Sequence, residues 1–512
     1  MRSLAILTGL ASLAAVVRTK ASTAPATIDC NGKPYTNHGL VGAGILAGNL
    51  TDKYGDTLGG IGSSAAIERG SWKKLGRDKY TGRLWGLPDR GWNTEGTLNF
   101  NPRVHKFQVT LDLGGTRHRR GDKETAEPNV HLRYLDTILL TDPNGEPTTG
   151  LDPDPFGVLQ FPGFPDLPAA SYVGDGFGTV TTGDTTARVS IDSEGLVLND
   201  DGTFWISDEY GDMIYRFRAD GRMLDAIRPP DAFLPRRNAT VSFNANSPPR
   251  YDSDREITPG DPLSGRNNNQ GLEGMTASPD GKTLYALTQS ALINDGASSS
   301  TRFNARLLVY DLSRRTPRHT AEYVVQLPRY ARADGASRVA AQSEIHYLSA
   351  TQFLVLSRDG DVGRGMDATE SRYRQVDIFD IGGATDVKEE ADCATCAVVV
   401  EGVLDAGITP ARYCEFVDVN DNAQLGSFEY EGIPLHNGGA QDAGLLNEKW
   451  ESLAIVPVNG KRNGRDCEDE DDEYFMFMLS DNDFITQHGK SSRSLSSPKT
   501  VPGFRQLLTL AE

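Results

Sequence analysis

Runs of alternating apolar and polar residues, each of about five residues, recur along the chain and close on Gly, Asp or Asn, while helical periodicity is nearly absent. The stretch Asn267 to Leu292 displays the unit. Glu273 precedes a short apolar run with Met275, a Ser-Pro-Asp-Gly turn follows at Ser278 to Gly281, and a second run from Thr283 to Thr288 ends at Gln289. An antiparallel return puts Glu273 and Gln289 at the same end of one hairpin. This pattern predicts an all-β fold.

In chain order, Gly39 to Ala47 reads as a strand and Gly59 to Gly62 as a glycine-rich corner. Arg83 to Leu87 is a strand that delivers Pro88-Asp89-Arg90-Gly91, and Val104 to Leu113 and Val130 to Leu140 continue the same sheet. A Pro- and Gly-rich excursion spans Asp152 to Gly178. Between Asp192 and Ile227 four strands follow in one uninterrupted meander, which is the blade of a β-propeller. Further units open at Glu273, at Ser343-Glu344 and at Lys449 to Leu453. The segment Asp392 to Gly439 reads as an insertion without an assigned place.

The expected architecture is one β-propeller domain over residues 30–490, with five to six four-stranded blades, long inter-blade loops and a C-terminal tail at 491–512. Five units are explicit. The strand near Gly39 to Ala47 supplies a sixth if it closes a blade of its own, and joining the chain ends would remove exposed sheet edges.

The hairpins repeat a polar constellation. From carboxylate to the end of the return strand, the interval is 14 residues for Glu194 to Asp208, 16 for Glu273 to Gln289 and 15 for Glu344 to Asp359. Glu451 to Asp481 spans 30 because the acidic run Asp466 to Glu473, read as a solvated loop, sits in its turn. If these hairpins are inner strands of successive blades, their ends ring one mouth of a central channel. Carboxylates gathered there need a counter-charge to stay ionised.

A divalent cation supplies it, and an oxygen-rich set with nearby amides (Asn267 to Asn269, Gln289, Asn482) suits Ca²⁺. Candidate metal-facing groups are Glu194, Glu273, Glu344, Glu451 and Asp481, with Asp208 or Asp359 as general base. Arg90 and Arg358, each beside a strand-end Asp, either pair with it or grip an anionic substrate. Gln289 stands where the other units end in aspartate, which leaves room for substrate. The plainer alternative is that each Glu caps backbone amides at a tight corner and recurs because the blade recurs.

Composition narrows the partners. Met1 to Ala21 carries Arg2, an apolar run from Leu4 to Val17 and small residues Thr19 and Ala21, as a cleaved secretory signal does, the alternative being a membrane anchor. Cleavage removes three cations and takes the formal charge from −18 to −21. Nucleic acid is excluded as a partner on that balance. No later segment is apolar enough to cross a bilayer, so the mature chain is expected to be extracellular, free of membrane and monomeric.

Asn49 and Asn238 open N-x-Thr sequons suited to glycosylation. Cys30, Cys393, Cys396, Cys414 and Cys467 should mostly pair in an oxidising compartment, with one left over. Cys393-Ala394-Thr395-Cys396 reads as a loop staple or, alternatively, as a zinc or redox motif.

The segments LPDRGWN, DSEGL with SDEYG, NQGLEGMTASPDGKTLYALTQSAL, SEIHYL with LSRDG, and KWESLAIVPV with MLSDNDF together resemble the secreted phytase-like family described as having esterase-like activity of phytase. The resemblance covers roughly residues 30 to 490. It implies a β-propeller and hydrolysis of a small ester or phosphoester. There is no G-x-S-x-G elbow and no HExxH, so a carboxylate-bound metal is the expected chemistry. The competing expectation is a non-catalytic propeller that binds carbohydrate, protein or a small ligand on the same face.

Overall fold

The computed structural model describes residues 25–47, 50–91, 96–114, 117–120, 123–171, 186–296, 298, 300–360, 370–400, 403–446, 449–459, 473–482, 484 and 503–511. The signal segment, Asn49, Cys467 and the acidic run at 466–472 lie outside them.

Short β-branched and aromatic runs cannot bury both faces alone, and among the described residues they do so in five antiparallel sheets of four or five strands, beside smaller two- and three-stranded ones. The first comprises Ser64–Ile67, Lys79–Leu87, Arg103–Asp112 and Val130–Leu139, and the second Ser193–Leu198, Phe204–Asp208, Ile214–Phe217 and Met223–Ile227. The third comprises Leu272–Ala277, Thr283–Thr288, Asn304–Asp311 and Arg318–Gln326. The fourth holds Ala341–Tyr347, Gln352–Arg358, Arg374–Asp380 and Arg412–Asp418. The fifth runs in the order Lys449–Pro457, Glu473–Asp481, Gly503–Ala511, Lys33–Leu46 and Ala26–Cys30. The first strands of the five sheets contact one another in cyclic order, the fifth returning to the first.

The core is divided into wedges between neighbouring sheets. Trp85 and Val104 pack on Leu196 and Phe204 between the first and second, and Trp205 packs on Met275 and Leu308 between the second and third. Tyr285 and Leu307 meet Ile345 and Phe379 between the third and fourth, Leu354 and Val376 meet Trp450 and Met476 between the fourth and fifth, and Phe475 and Phe477 meet Leu84 and Phe107 where the fifth returns to the first. Each buried Phe, Leu or Val of this kind contributes roughly 1.5–3 kcal/mol.

Three features depart from the expected layout. The N-terminal strand forms no sixth sheet, because it pairs with Gly503–Ala511 and completes the fifth. The segment expected as a C-terminal tail supplies that strand, which also pairs with Glu473–Asp481. The strand fills the gap between two strand edges that would otherwise stay unpaired. The insertion Asp392 to Gly439 contains the outer strand of the fourth sheet, Arg412–Asp418.

The first strand of the first sheet, Ser64–Ile67, follows the glycine-rich corner, where a Cβ on Gly62 would lie 2.1 Å from the Asp481 amide nitrogen. That close approach joins the first sheet to the fifth. Disulfides connect Cys30 to Cys414 and Cys393 to Cys396, so the second pair staples its loop. Asn238 is exposed at a tight hairpin between Arg236–Arg237 and Thr240–Val241.

Candidate functional site

Each predicted glutamate sits at a break in the register between a first strand and its return. The shifts fall between Ser193 and Leu196, Leu272 and Met275, Gln342 and Glu344, and Trp450 and Ser452. A bulge re-aims the side chain it carries. Here it turns the carboxylates inward, with Ser193 opposite Asp208 and Lys449 opposite Asp481. Gly195 and Gly274, which follow two of the glutamates, allow the neighbouring strand to come close: a Cβ on Gly274 would lie 2.6 Å from the Ile345 amide nitrogen.

Asp192, Glu194 and Glu209 offer ligand atoms that all lie within 4.8 Å of one another, and all three residues are buried. Asp192 Oδ2 is 3.2 Å from Arg90 Nη1, and its Oδ1 accepts from the Arg90 amide at 3.1 Å. Glu209 is 1% exposed, and its Oε1 has no hydrogen-bond partner. Burial, then Glu273 and Asp192, push the Glu209 carboxyl well above the usual carboxylate range. Burial, then Glu273, do the same to Glu194.

Glu273, also 1% exposed, is raised by burial and by Glu451, against a hydrogen bond from Gln289 that lowers it. Its Oε2 has no partner. Orphaned buried carboxylate oxygens in an all-oxygen donor set are what a hard cation satisfies, so this buried acidic group could hold a metal ion.

The cations lie to one side. Lys449 Nζ meets Asp481 Oδ2 at 2.9 Å, Asp89 Oδ2 at 3.0 Å and Glu451 Oε2 at 3.3 Å, while Arg358 pairs with Glu451. The Lys449 and Arg358 side chains are 20% and 15% exposed, and Gln289 is half-buried, so these three are the solvent-facing members. Arg90 is buried, bonded to the Tyr210 hydroxyl as well as to Asp192.

The other predicted residues are tied into the frame. Asp208 accepts from the amides of Asp192, Tyr210 and Gly211 and from the Tyr215 hydroxyl at 2.9–3.2 Å. Burial still pushes it up to about 7. These bonds fold the Asp208–Gly211 corner that carries Glu209, and Arg266 clamps the same corner through the Tyr210 carbonyl. Asp359 accepts from the amides of Arg372 and Tyr373, both at 2.6 Å, and pairs with buried Arg374.

Glu344 is a cross-link. Its Oε1 accepts from the amides of Met275 at 3.1 Å and Ile345 at 3.0 Å, and its Oε2 from Ser64 Oγ at 2.5 Å. Ser64 Oγ accepts in turn from the Leu196 amide at 3.1 Å. One carboxylate thus joins the first strands of four sheets.

Sequence reasoning missed Asp192, Glu209, Lys449 and Ser64. The signal for Glu209 was present: neighbouring residues at a strand end face opposite ways, so when Asp208 turns into the backbone corner, Glu209 faces the cluster.

A family model described as "Phytase-like: Esterase-like activity of phytase" matches residues 72–484. An "Uncharacterized secreted protein" of Arthroderma benhamiae is 51% identical over 477 residues, which span 91% of this chain and 90% of that protein. Like this relative, the chain is a secreted protein. Among solved structures, an ancestral GH74 enzyme aligns at TM-score 0.26 and 10% identity, over 81% of this chain and 33% of its own. A putative 6-phosphogluconolactonase of Bacteroides fragilis aligns at TM-score 0.21 and 11% identity, over 65% and 83%. The match across the sheets that carry the carboxylates, together with the full-length relative, places the chain in the phytase-like family described by esterase-like activity of phytase.

Proposed function

We propose that this chain hydrolyses small ester or phosphoester substrates on a five-bladed β-propeller, through a divalent cation held by Asp192, Glu194 and Glu209. The observation that carries this reading is the meeting of these three buried carboxylates, with one orphaned oxygen and Arg90 as their direct ion-pair partner. A Ca²⁺-type ion bound there supplies Lewis-acid polarisation of a carbonyl or phosphoryl oxygen.

The protein's own groups do the rest. Glu273, oriented by Gln289 and raised by burial, is our general base, because a raised carboxyl is better matched to taking a proton from water near neutral pH. Arg358 and Lys449, partly exposed, orient the anionic oxygens of the substrate. Asp208, with donors on both oxygens, and Asp359, held by two amides and Arg374, position the strand ends in this reading. Glu451 and Asp481 hold Lys449 in place.

The test is a screen of ester and phytate hydrolysis with and without chelator. Glu273→Gln should lower kcat by roughly 10²–10⁴-fold while Ca²⁺ binding persists, and Glu209→Gln should lose the ion. Hydrolysis that survives both chelation and Glu273→Gln would sink the mechanism.

One observation favours a second reading, a small-ligand binder. A cavity of about 590 Å³ lies toward the other ends of the first strands, where Ala65, Leu196, Met275, Ile345 and Leu453 contribute one residue from each sheet. Uptake of small apolar ligands there, with no ester cleaved in the screen, would favour it.

A further inference from the structure

A second constellation lies on the outer strand of the third sheet, away from the first strands. His319 and Glu322, three residues apart, would normally face opposite sides of a strand. The pairing slips between Val309 and Tyr310, which face Ala321 and His319, so Thr320 is an extra residue on the outer strand. Glu322 lies opposite Leu308 and His319 opposite Tyr310, and positions 308 and 310 share a face. The bulge therefore puts His319, Glu322 and Tyr310 on one side of the sheet. Asp392 arrives there from the insertion, just after the short helix Lys388–Ala391.

The ligand atoms of His319, Glu322 and Asp392 lie within 4.8 Å of one another. His319 Nε2 is 3.8 Å from Glu322 Oε2, and His319 Nδ1 is 3.5 Å from Asp392 Oδ2. Glu322 is 0% exposed; its Oε1 is held by Arg306 at 3.0 Å, while Oε2 has no hydrogen-bond partner. His319 Nε2 and Asp392 Oδ1 are likewise buried without partners.

A fourth group points the same way. Tyr310 is 2% exposed, its hydroxyl has no partner, and its ring lies 5.4 Å from the His319 ring. Burial, then the charges of Glu322 and Asp392, raise that phenol. Four buried polar atoms without hydrogen-bond partners, on residues grouped this closely, cost free energy unless something satisfies them.

We propose that His319, Glu322 and Asp392, with the Tyr310 hydroxyl beside them, bind a transition-metal dication of the zinc class. An imidazole nitrogen with two carboxylates is a zinc-type donor set, unlike the all-oxygen set at the channel. Arg306 holds Glu322 in the manner of the outer partners that orient metal ligands. The site fastens the insertion to the third sheet, where the Val387 amide already donates to the Glu322 carbonyl at 2.9 Å and Arg306 to the Ala391 carbonyl at 3.0 Å. Its role is to hold structure, and it does not depend on the hydrolase reading.

The experiment uses Co²⁺ as a spectroscopic probe on chelator-stripped full-length protein. The wild type should develop visible absorption with one equivalent of Co²⁺ and lose it when Zn²⁺ is added. His319→Ala and, on the partly exposed insertion, Asp392→Asn should each weaken binding roughly 10- to 100-fold, while Glu209→Gln keeps the spectrum. Chelator should also speed proteolytic cleavage of the insertion in the wild type, and Zn²⁺ should restore protection. A wild type with no Co²⁺ spectrum, or both variants binding Co²⁺ as tightly as the wild type, would overturn the proposal.

Discussion

Replacing Glu209 by Gln removes one charge from the buried trio and leaves its shape. At 4.8 Å and an effective dielectric constant near 20, each ionised pair in that trio repels by roughly 3 kcal/mol. Three such pairs reach roughly 10 kcal/mol, comparable with the whole stability of a domain. Without a bound metal ion that repulsion favours protons on Glu194 and Glu209, whose carboxyls burial already raises well above the usual range. Glutamine copies a protonated Glu209, so in chelator at neutral pH the variant should match the wild type or exceed it by up to about 2 kcal/mol.

Calcium should reverse that order. At a hundredfold excess over Kd, the wild type gains about 2.7 kcal/mol, whereas a variant that no longer holds the ion gains nothing. The assay is urea denaturation of both proteins in chelator and in Ca²⁺, with equal m-values as the control. An equal calcium gain in the two proteins would refute the reasoning, as would a loss above about 2 kcal/mol for the variant in chelator.

Asp208→Asn leaves two of four donors facing an amide and should cost roughly 2–4 kcal/mol in urea denaturation; a variant with full stability but no hydrolysis would make Asp208 the base instead. Ser64→Ala strands the Leu196 amide and one Glu344 oxygen and should cost roughly 1–3 kcal/mol, whereas a change below about 0.5 kcal/mol would mean the cross-link bears little. Burial raises Asp152 to about 6 and both Asp208 and Asp377 to about 7. Their contribution is complete below about pH 4 and is lost as pH rises through about 7, outweighing buried His105, depressed to about 3, which costs stability below its ordinary 6.5. Ion-free protein should therefore melt higher near pH 5 than near pH 8, and a Tm that climbs across that interval contradicts the assignment.

The hairpins were legible because period-two alternation and turns such as Ser278-Pro279-Asp280-Gly281 and Asn199-Asp200-Asp201-Gly202 fix both strands and their register. The four glutamates were legible for the same reason: each sits a hairpin's length from its partner. Ser64–Ile67 was not, since Ser-Ala-Ala-Ile after a glycine-rich corner carries no alternation, and its place follows from its pairing with Leu84–Leu87 and from the approach of Gly62 to Asp481. Asp208 was misjudged in weight: the spacing gave its position, but only the corner's folding reveals the backbone donors that occupy both its oxygens. The His319 constellation was hidden by a bulge, which reverses facing without any mark in the sequence.

The fifth sheet has a consequence for the order of events during export. Its middle strand, Gly503–Ala511, is synthesised after the other four sheets, whereas its neighbour Lys33–Leu46 precedes them. Lys33–Leu46 must therefore wait until Gly503–Ala511 has been made, a high-contact-order step that makes ring closure late and slow. The Cys30–Cys414 bond offers an interim latch, because both cysteines precede the final strand and can hold the amino-terminal hairpin against the fourth sheet. A chain ending before Gly503 would leave the edges of Lys33–Leu46 and Glu473–Asp481 open, ready to pair with other chains. Synthesis through Ala511 is thereby coupled to a closed, non-aggregating surface.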